Sequence, residues 1–287
     1  ESVTGALSSV GSDTLNNVMT LWAEKFSAVQ KGVNVQVEGK GSGTAPPALI
    51  AGTAQIGPMS REMKSSEIEQ FEAKFGYKPT KVRVAVDALG VFVHKDNPIT
   101  GLTMKQLDSV FSKTRKAGGP ADIVTWGELG LSGNWSTKPI SSYGRNSASG
   151  TYGFFKEHVL KNGDFKDTVK EQPGSASVVQ SVGVDVTAIG YSGIGYRTSE
   201  VRAVPLKSDE EGSEYVVASP ETSYSGDYPL SRFLYVYINR APGKPIDKLT
   251  GEFLKFVVSR EGQEIVIKDG YYPLPVEVSN EELAQLK

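Results

Sequence analysis

The chain has 287 residues, 38% of them hydrophobic and 22% charged, enough for a well-buried core and for two lobes rather than one. A formal charge of −2 argues against a nucleic-acid binder, which needs a basic patch to neutralise phosphates. Without cysteine there are no thiolate metal sites, cysteine nucleophiles or disulfides, and no apolar run approaches the ~20 residues of a membrane span. The sequence begins at Glu1 with neither a methionine nor a signal-like segment, which reads as a mature, exported chain.

An apolar opening from Ala6 to Val10 leads into Gly11-Ser12-Asp13-Thr14, after which Leu15, Val18, Met19, Trp22, Phe26 and Val29 share one face of a helix. Val33, Val35 and Val37 then alternate as a strand, and Gly39-Lys40-Gly41-Ser42-Gly43-Thr44 opens a second helix. That helix is short: Pro46 and Pro47 fit only its first turn, and Gly52 stops it. A brief buried run, Ala54 to Pro58, ends in Met59-Ser60-Arg61, and Ser66 with Glu69 predicts a capping box for a helix closing at Gly76. Three strand ends thus lead into hydroxyl-bearing turns.

Val82 to Val86 and Leu89 to Val93 are near-continuous apolar runs around Asp87, which predicts buried strands of parallel-sheet type and a first crossover between lobes. Thr103 with Gln106 caps a helix through Phe111, and Ser112 to Trp135, loop-rich around Gly118-Gly119-Pro120, reads as a surface excursion. Ile140 to Tyr143 closes a strand. Beyond it Tyr152, Phe155, Val159 and Leu160 recur at helical spacing, so Ser149-Gly150-Thr151 sits where a helix begins. The first N–H groups of a helix have no internal partner and lie at the positive end of its dipole, while glycine lets an oxyanion approach the backbone. Arg145 adds a planar set of donors that matches two oxygens of a tetrahedral anion. A helix cap alone would also account for Ser-Gly-Thr.

Ser175 starts a helix through Val182, and Thr187 to Tyr191 is a buried strand running into a glycine-rich turn. Val201 to Leu206 is a strand, Lys207 to Asp227 is irregular and acidic, and Phe233 to Ile238 suits the return crossover. Helices follow at Pro245 to Val258 and Glu261 to Lys268, then the aromatic turn Tyr271-Tyr272-Pro273 and a polar helix from Ser279. His94 and His158 lie far apart with no carboxylate spacing that suggests a metal site.

The order of these motifs carries more than any one of them: Gly11-Ser12-Asp13-Thr14, Gly41-Ser42-Gly43, Ile56-Gly57-Pro58-Met59-Ser60-Arg61, Arg145 with Ser149-Gly150-Thr151, then Ala188-Ile189-Gly190-Tyr191. Over nearly its whole length the chain resembles the periplasmic phosphate-binding proteins of ABC-type phosphate transporters, the PstS family. The resemblance implies an α/β, two-lobed periplasmic-binding-protein (type 2) fold, with two mixed-sheet lobes joined by two crossover strands. Lobe I would comprise 1–87 plus 236–287 and lobe II 88–235, closing on one dehydrated phosphate. The family's first phosphate loop falls on Asp13 and Thr14, its second on Ser42 and its third on Ser60. Its arginine falls on Arg145 and its triplet on Ser149, Gly150 and Thr151; Arg61, beside Ser60, is a further candidate. Ser60 departs from an aspartate that in many members accepts the phosphate's own proton, and Ser147 from one that often pairs with the arginine. Asp13, the only acidic residue in the matched loops, is therefore expected to take over as proton acceptor.

The function implied is high-affinity binding of inorganic phosphate and its delivery to the membrane permease of an ABC importer, by a periplasmic monomer that uses no cofactor and binds no nucleic acid. Two alternatives keep the anion cradle. One is an exported phosphatase or phosphoryl-transfer enzyme, against which stand the absence of a histidine/carboxylate cluster and of a Gly-x-x-x-x-Gly-Lys-Ser/Thr loop. The other is a binding protein for sulfate or molybdate.

Overall fold

The structure, a computed structural model, describes residues 1–287. Three strand–helix pairs open it: β1 (Thr4–Gly11) and α1 (Asn16–Val29), β2 (Gly32–Gly39) and α2 (Ala45–Ala51), β3 (Ile56–Met59) and α3 (Ser65–Phe75). The long strand β4 (Thr80–His94) follows, then β5 (Leu102–Thr103), α4 (Met104–Phe111), β6 (Ser141–Arg145), α5 (Gly150–His158), β7 (Lys170–Gln172) and α6 (Ser175–Val184). Next come β8 (Ala188–Gly193), β9 (Val201–Ala203), β10 (Leu206–Lys207), β11 (Tyr215–Val216) and α7 (Pro220–Ser225). The chain closes with β12 (Ser231–Ile238), α8 (Lys248–Val258), α9 (Arg260–Lys268) and α10 (Val276–Gln285).

Two compact units result. The first comprises Glu1–Val86, Ala148–Gly150 and Phe233–Lys287, the second Asp87–Ser147 and Thr151–Arg232; β4 and β12 are the strands that pass from one to the other. In the first unit β1 pairs in parallel with β2 and β3, and β3 pairs antiparallel with β12. Pairing in parallel sets the ends of β1, β2 and β3 side by side, so the three loops that follow emerge at one edge. The core beneath is built by α1, whose Val18, Met19, Trp22, Ala23 and Phe26 are buried, with Trp22 Nε1 donating to Gly262 O at 2.8 Å and Phe26 set edge-on to Phe253. α2 has the limits its prolines and Gly52 dictate. α3 begins one residue before Ser66, and Glu67, rather than Glu69, reaches back to the N–H of Lys64 at 2.8 Å.

In the second unit β4 pairs antiparallel with β8 and β9, while β6 pairs in parallel with β8 and β7. The parallel-type expectation for β4 is thus corrected. A strand buried on both faces is apolar throughout whichever way its neighbours run, and from Ala85 to His94 every residue is buried. The run Val201 to Leu206 is two strands, broken at Pro205, which has no N–H for a ladder. Nor is the acidic stretch irregular: β11 pairs with β10, which pairs with β5, and α7 starts behind Ser219, whose hydroxyl accepts the Thr222 N–H at 3.1 Å.

The expected surface excursion is anchored. Trp126 is fully buried, donates Nε1–H to Thr187 O at 2.9 Å and meets Trp135 edge-on. Trp126→Ala is expected to cost about 3–5 kcal/mol in urea unfolding, and Val124→Ala, at a side chain 52% exposed, less than about 0.5 kcal/mol. Equal effects of the two would contradict the anchor.

Candidate anion-binding site

In the first unit the three adjacent loops are laced by main-chain bonds. Ser12 N–H donates to Pro58 O at 2.8 Å and Gly41 N–H to Gly11 O at 2.9 Å. A Cβ on Gly11 would lie 2.1 Å from Pro58 O, so the approach of these backbones needs glycine there. Ser42, with no exposed surface, accepts the Ser60 N–H at 2.9 Å, and the two Oγ atoms lie 3.2 Å apart. Ala148–Gly150 packs in the same unit: Gly43 N–H donates to Ala148 O at 2.9 Å, and a Cβ on Gly150 would sit 2.1 Å from Ser42 Oγ and 2.5 Å from Ser60 Oγ. Gly150 opens α5, so two serine hydroxyls and a helix N-terminus, with its outward N–H groups, meet at one place.

Thr14 is buried and its carbonyl accepts the Tyr271 hydroxyl at 2.8 Å. Asp13 is half-buried, and its carbonyl accepts the Asn16 N–H at 3.0 Å where α1 begins. Ser12, whose Oγ accepts the Leu15 N–H at 3.4 Å, helps to close this turn. The Arg61 guanidinium is taken up by its own loop and the first turn of α3, donating to Glu67 at 2.7 and 3.1 Å and to Glu62 O at 3.0 Å. Burial works to raise the Glu67 carboxyl, yet Arg61 and the Lys64 N–H hold it below the usual carboxylate range.

In the second unit Arg145 ends β6 with only 2% of its surface exposed. Its N–H donates to Tyr191 Oη at 3.1 Å, Nη1 to Ser175 Oγ at 3.1 Å and Nη2 to Pro173 O at 3.4 Å. Ser175 and Pro173 thus orient the guanidinium, and Tyr191 holds the main chain that carries it. Burial pushes the Tyr191 hydroxyl far up, so it stays protonated. Thr151, also fully buried, accepts Nη2 of Arg232 at 3.0 Å. Arg232 in turn pairs with Asp87, Nε at 2.9 Å and Nη2 at 2.8 Å from Oδ2. Burial raises the Asp87 carboxyl, and Arg232 and the Ile194 N–H pull it down.

The structure therefore places Ser42, Ser60, Ser149 and Gly150 with the first unit and Arg145 and Thr151 with the second. Ser175, Asp87 and Arg232 are additions that sequence reasoning did not single out. One signal existed: Asp87 is the only charge between Val84 and Val93, and a charge in such an apolar run calls for a partner. Chemically the first unit gathers serine hydroxyls and a helix start, and the second holds a buried guanidinium. No group of three or more histidine and carboxylate side chains is placed to hold a metal.

The chain is similar to known proteins over most of its length. A family model described as the PBP superfamily domain matches residues 1–261. The phosphate-binding protein PstS of Pseudomonas aeruginosa is 57% identical over 99% of this chain and 88% of its own length. A PstS of Staphylococcus saprophyticus is 28% identical over 98% of this chain and 84% of its own. Among solved structures, a Clostridium perfringens protein assigned as a phosphate ABC transporter substrate-binding protein, with phosphate bound, is similar at a TM-score of 0.79 and 27% identity, covering 94% of this chain and 100% of that one.

Proposed function

The chain belongs to the PBP superfamily domain family, and on that premise we propose that it binds inorganic phosphate and delivers it to the membrane permease of an ABC-type importer. The observation that carries this reading is Arg145, 2% exposed, its guanidinium oriented by the Ser175 hydroxyl and the Pro173 carbonyl and its main-chain N–H by the Tyr191 phenol. The planar donors of a guanidinium suit two oxygens of a phosphate, and such charge-assisted bonds are stronger than neutral ones. The proposed donors are Ser42, Ser60, Ser149 and Gly150 of the first unit and Arg145 and Thr151 of the second, with Thr14 shaping the first loop. Several neutral dipoles can hold a multiply charged anion in a dry site without a full set of counter-charges. Arg61 serves its own loop through Glu67. The P. aeruginosa relative, named for phosphate binding, supports the choice of anion.

The protein is taken as a periplasmic, monomeric carrier and not an esterase. Ester hydrolysis needs a metal pair or a nucleophile with an adjacent base, and apart from Asp13 the groups proposed for the site are donors. Phosphate released from a chromogenic ester by the pure protein, with or without divalent metals, would contradict this.

Arg145→Ala is expected to lose most phosphate affinity in calorimetric titration, roughly ten- to a hundredfold for a charge-assisted hydrogen bond, with Arg145→Lys in between. Arg61→Ala should stay within about twofold, since its donors already have partners. Wild-type affinity in Arg145→Ala would sink the assignment. Asp13 is assigned to accept the proton of hydrogen phosphate, a donor that sulfate lacks at neutral pH. Asp13→Asn should then lose phosphate-over-sulfate discrimination, because an amide can turn its donors to a fully ionised anion. An unchanged affinity ratio means the proton is read elsewhere.

A further inference from the structure

Asp87, Arg232 and Thr151 form a chain of buried polar groups that the proposed donor set uses only at its end. Asp87 has no exposed surface, Arg232 has 7% and Thr151 none. Asp87 lies in β4 and Arg232 in β12, and the two strands are fixed in register near them: Leu89 N–H donates to Leu230 O at 2.9 Å and the buried Tyr228 hydroxyl to Leu89 O at 2.7 Å. The carboxylate is used at both oxygens, Oδ2 by Arg232 Nε and Nη2, Oδ1 by the Ile194 N–H at 2.9 Å. Phe154 lies against the guanidinium, 5.1 Å from ring centroid to Cζ. Anchored on two sides, Arg232 has little freedom in where its Nη2 hydrogens point.

One of those hydrogens is directed to Thr151 Oγ1. Arginine has no acceptor atom, so in that 3.0 Å bond Thr151 is the acceptor. A hydroxyl that accepts from one side turns its own hydrogen to another, and a cationic donor polarises that O–H and makes it a better donor. Resting on the phosphate-binding reading, we propose that Arg232, held by Asp87, is a positioning residue that sets the Thr151 hydroxyl as a fixed donor to the anion. Arg232 then acts through Thr151 without touching the ligand. A hydroxyl fixed in this sense cannot accept the proton of hydrogen phosphate, so Thr151 is not the group that distinguishes phosphate from sulfate.

A double-mutant cycle tests this by calorimetric titration with inorganic phosphate of wild type, Arg232→Lys, Thr151→Ala and the double variant. Arg232→Lys keeps a cation for Asp87 but cannot address Asp87 and Thr151 with one planar group. It should weaken phosphate binding roughly tenfold when Thr151 is present and less than about twofold in the Thr151→Ala background. Asp87→Asn, which preserves shape and loosens the anchor, should repeat the pattern, and serves if Arg232→Lys does not fold. Equal losses in both backgrounds, or no loss in either, overturn the inference while leaving phosphate binding intact. A wild-type protein that binds no phosphate overturns the functional reading itself and this inference with it.

Discussion

Charge taken out of water governs this molecule. Five charged residues, Asp87, Asp108, Arg145, Arg232 and Glu282, are buried to 7% exposure or less, and an ion removed from water costs several kcal/mol unless its surroundings replace the lost solvation. Asp87 and Arg232 answer each other, with the Ile194 N–H and Thr151 hydroxyl completing the set. Arg145 is oriented by the Ser175 hydroxyl and the Pro173 carbonyl, with the Tyr191 hydroxyl on its main-chain N–H.

The backbone around the hydroxyls obeys the same demand. Gly11 and Gly150 stand where a methyl group would strike a carbonyl or a serine oxygen, so main chain and hydroxyls come together at distances no other residue permits. Parallel pairing of β1, β2 and β3 puts the loops on one edge, and the bonds from Ser12 to Pro58 and from Gly41 to Gly11 keep them there. The loops are therefore held by bonds to one another, and holding groups in place lowers the ordering cost of binding.

Much of this was legible locally. The limits of α2 follow from Pro46, Pro47 and Gly52, and the start of α4 from Thr103 and Gln106, because caps and breakers act within one turn. The start of α5 at Gly150 was likewise marked by Ser-Gly-Thr before an apolar periodic run. What escaped depends on residues distant in sequence. Asp87 and Arg232 are 145 positions apart, and Ser175 is 30 from Arg145. The direction of β4 escaped because burial on both faces erases the alternation that would hint at it. Trp126 and α7 escaped because polar, glycine-rich composition hid an anchored ring and a capped helix.

Sequence kinship and donor chemistry point to the same ligand, and the most direct test is calorimetry on protein stripped of anions by unfolding, dialysis and refolding. Phosphate, sulfate and molybdate would be titrated separately at neutral pH. The account predicts saturable binding of one equivalent of phosphate, not displaced by excess sulfate or molybdate. Sulfate or molybdate binding as tightly as phosphate, or no binding of phosphate by correctly refolded protein, would contradict it.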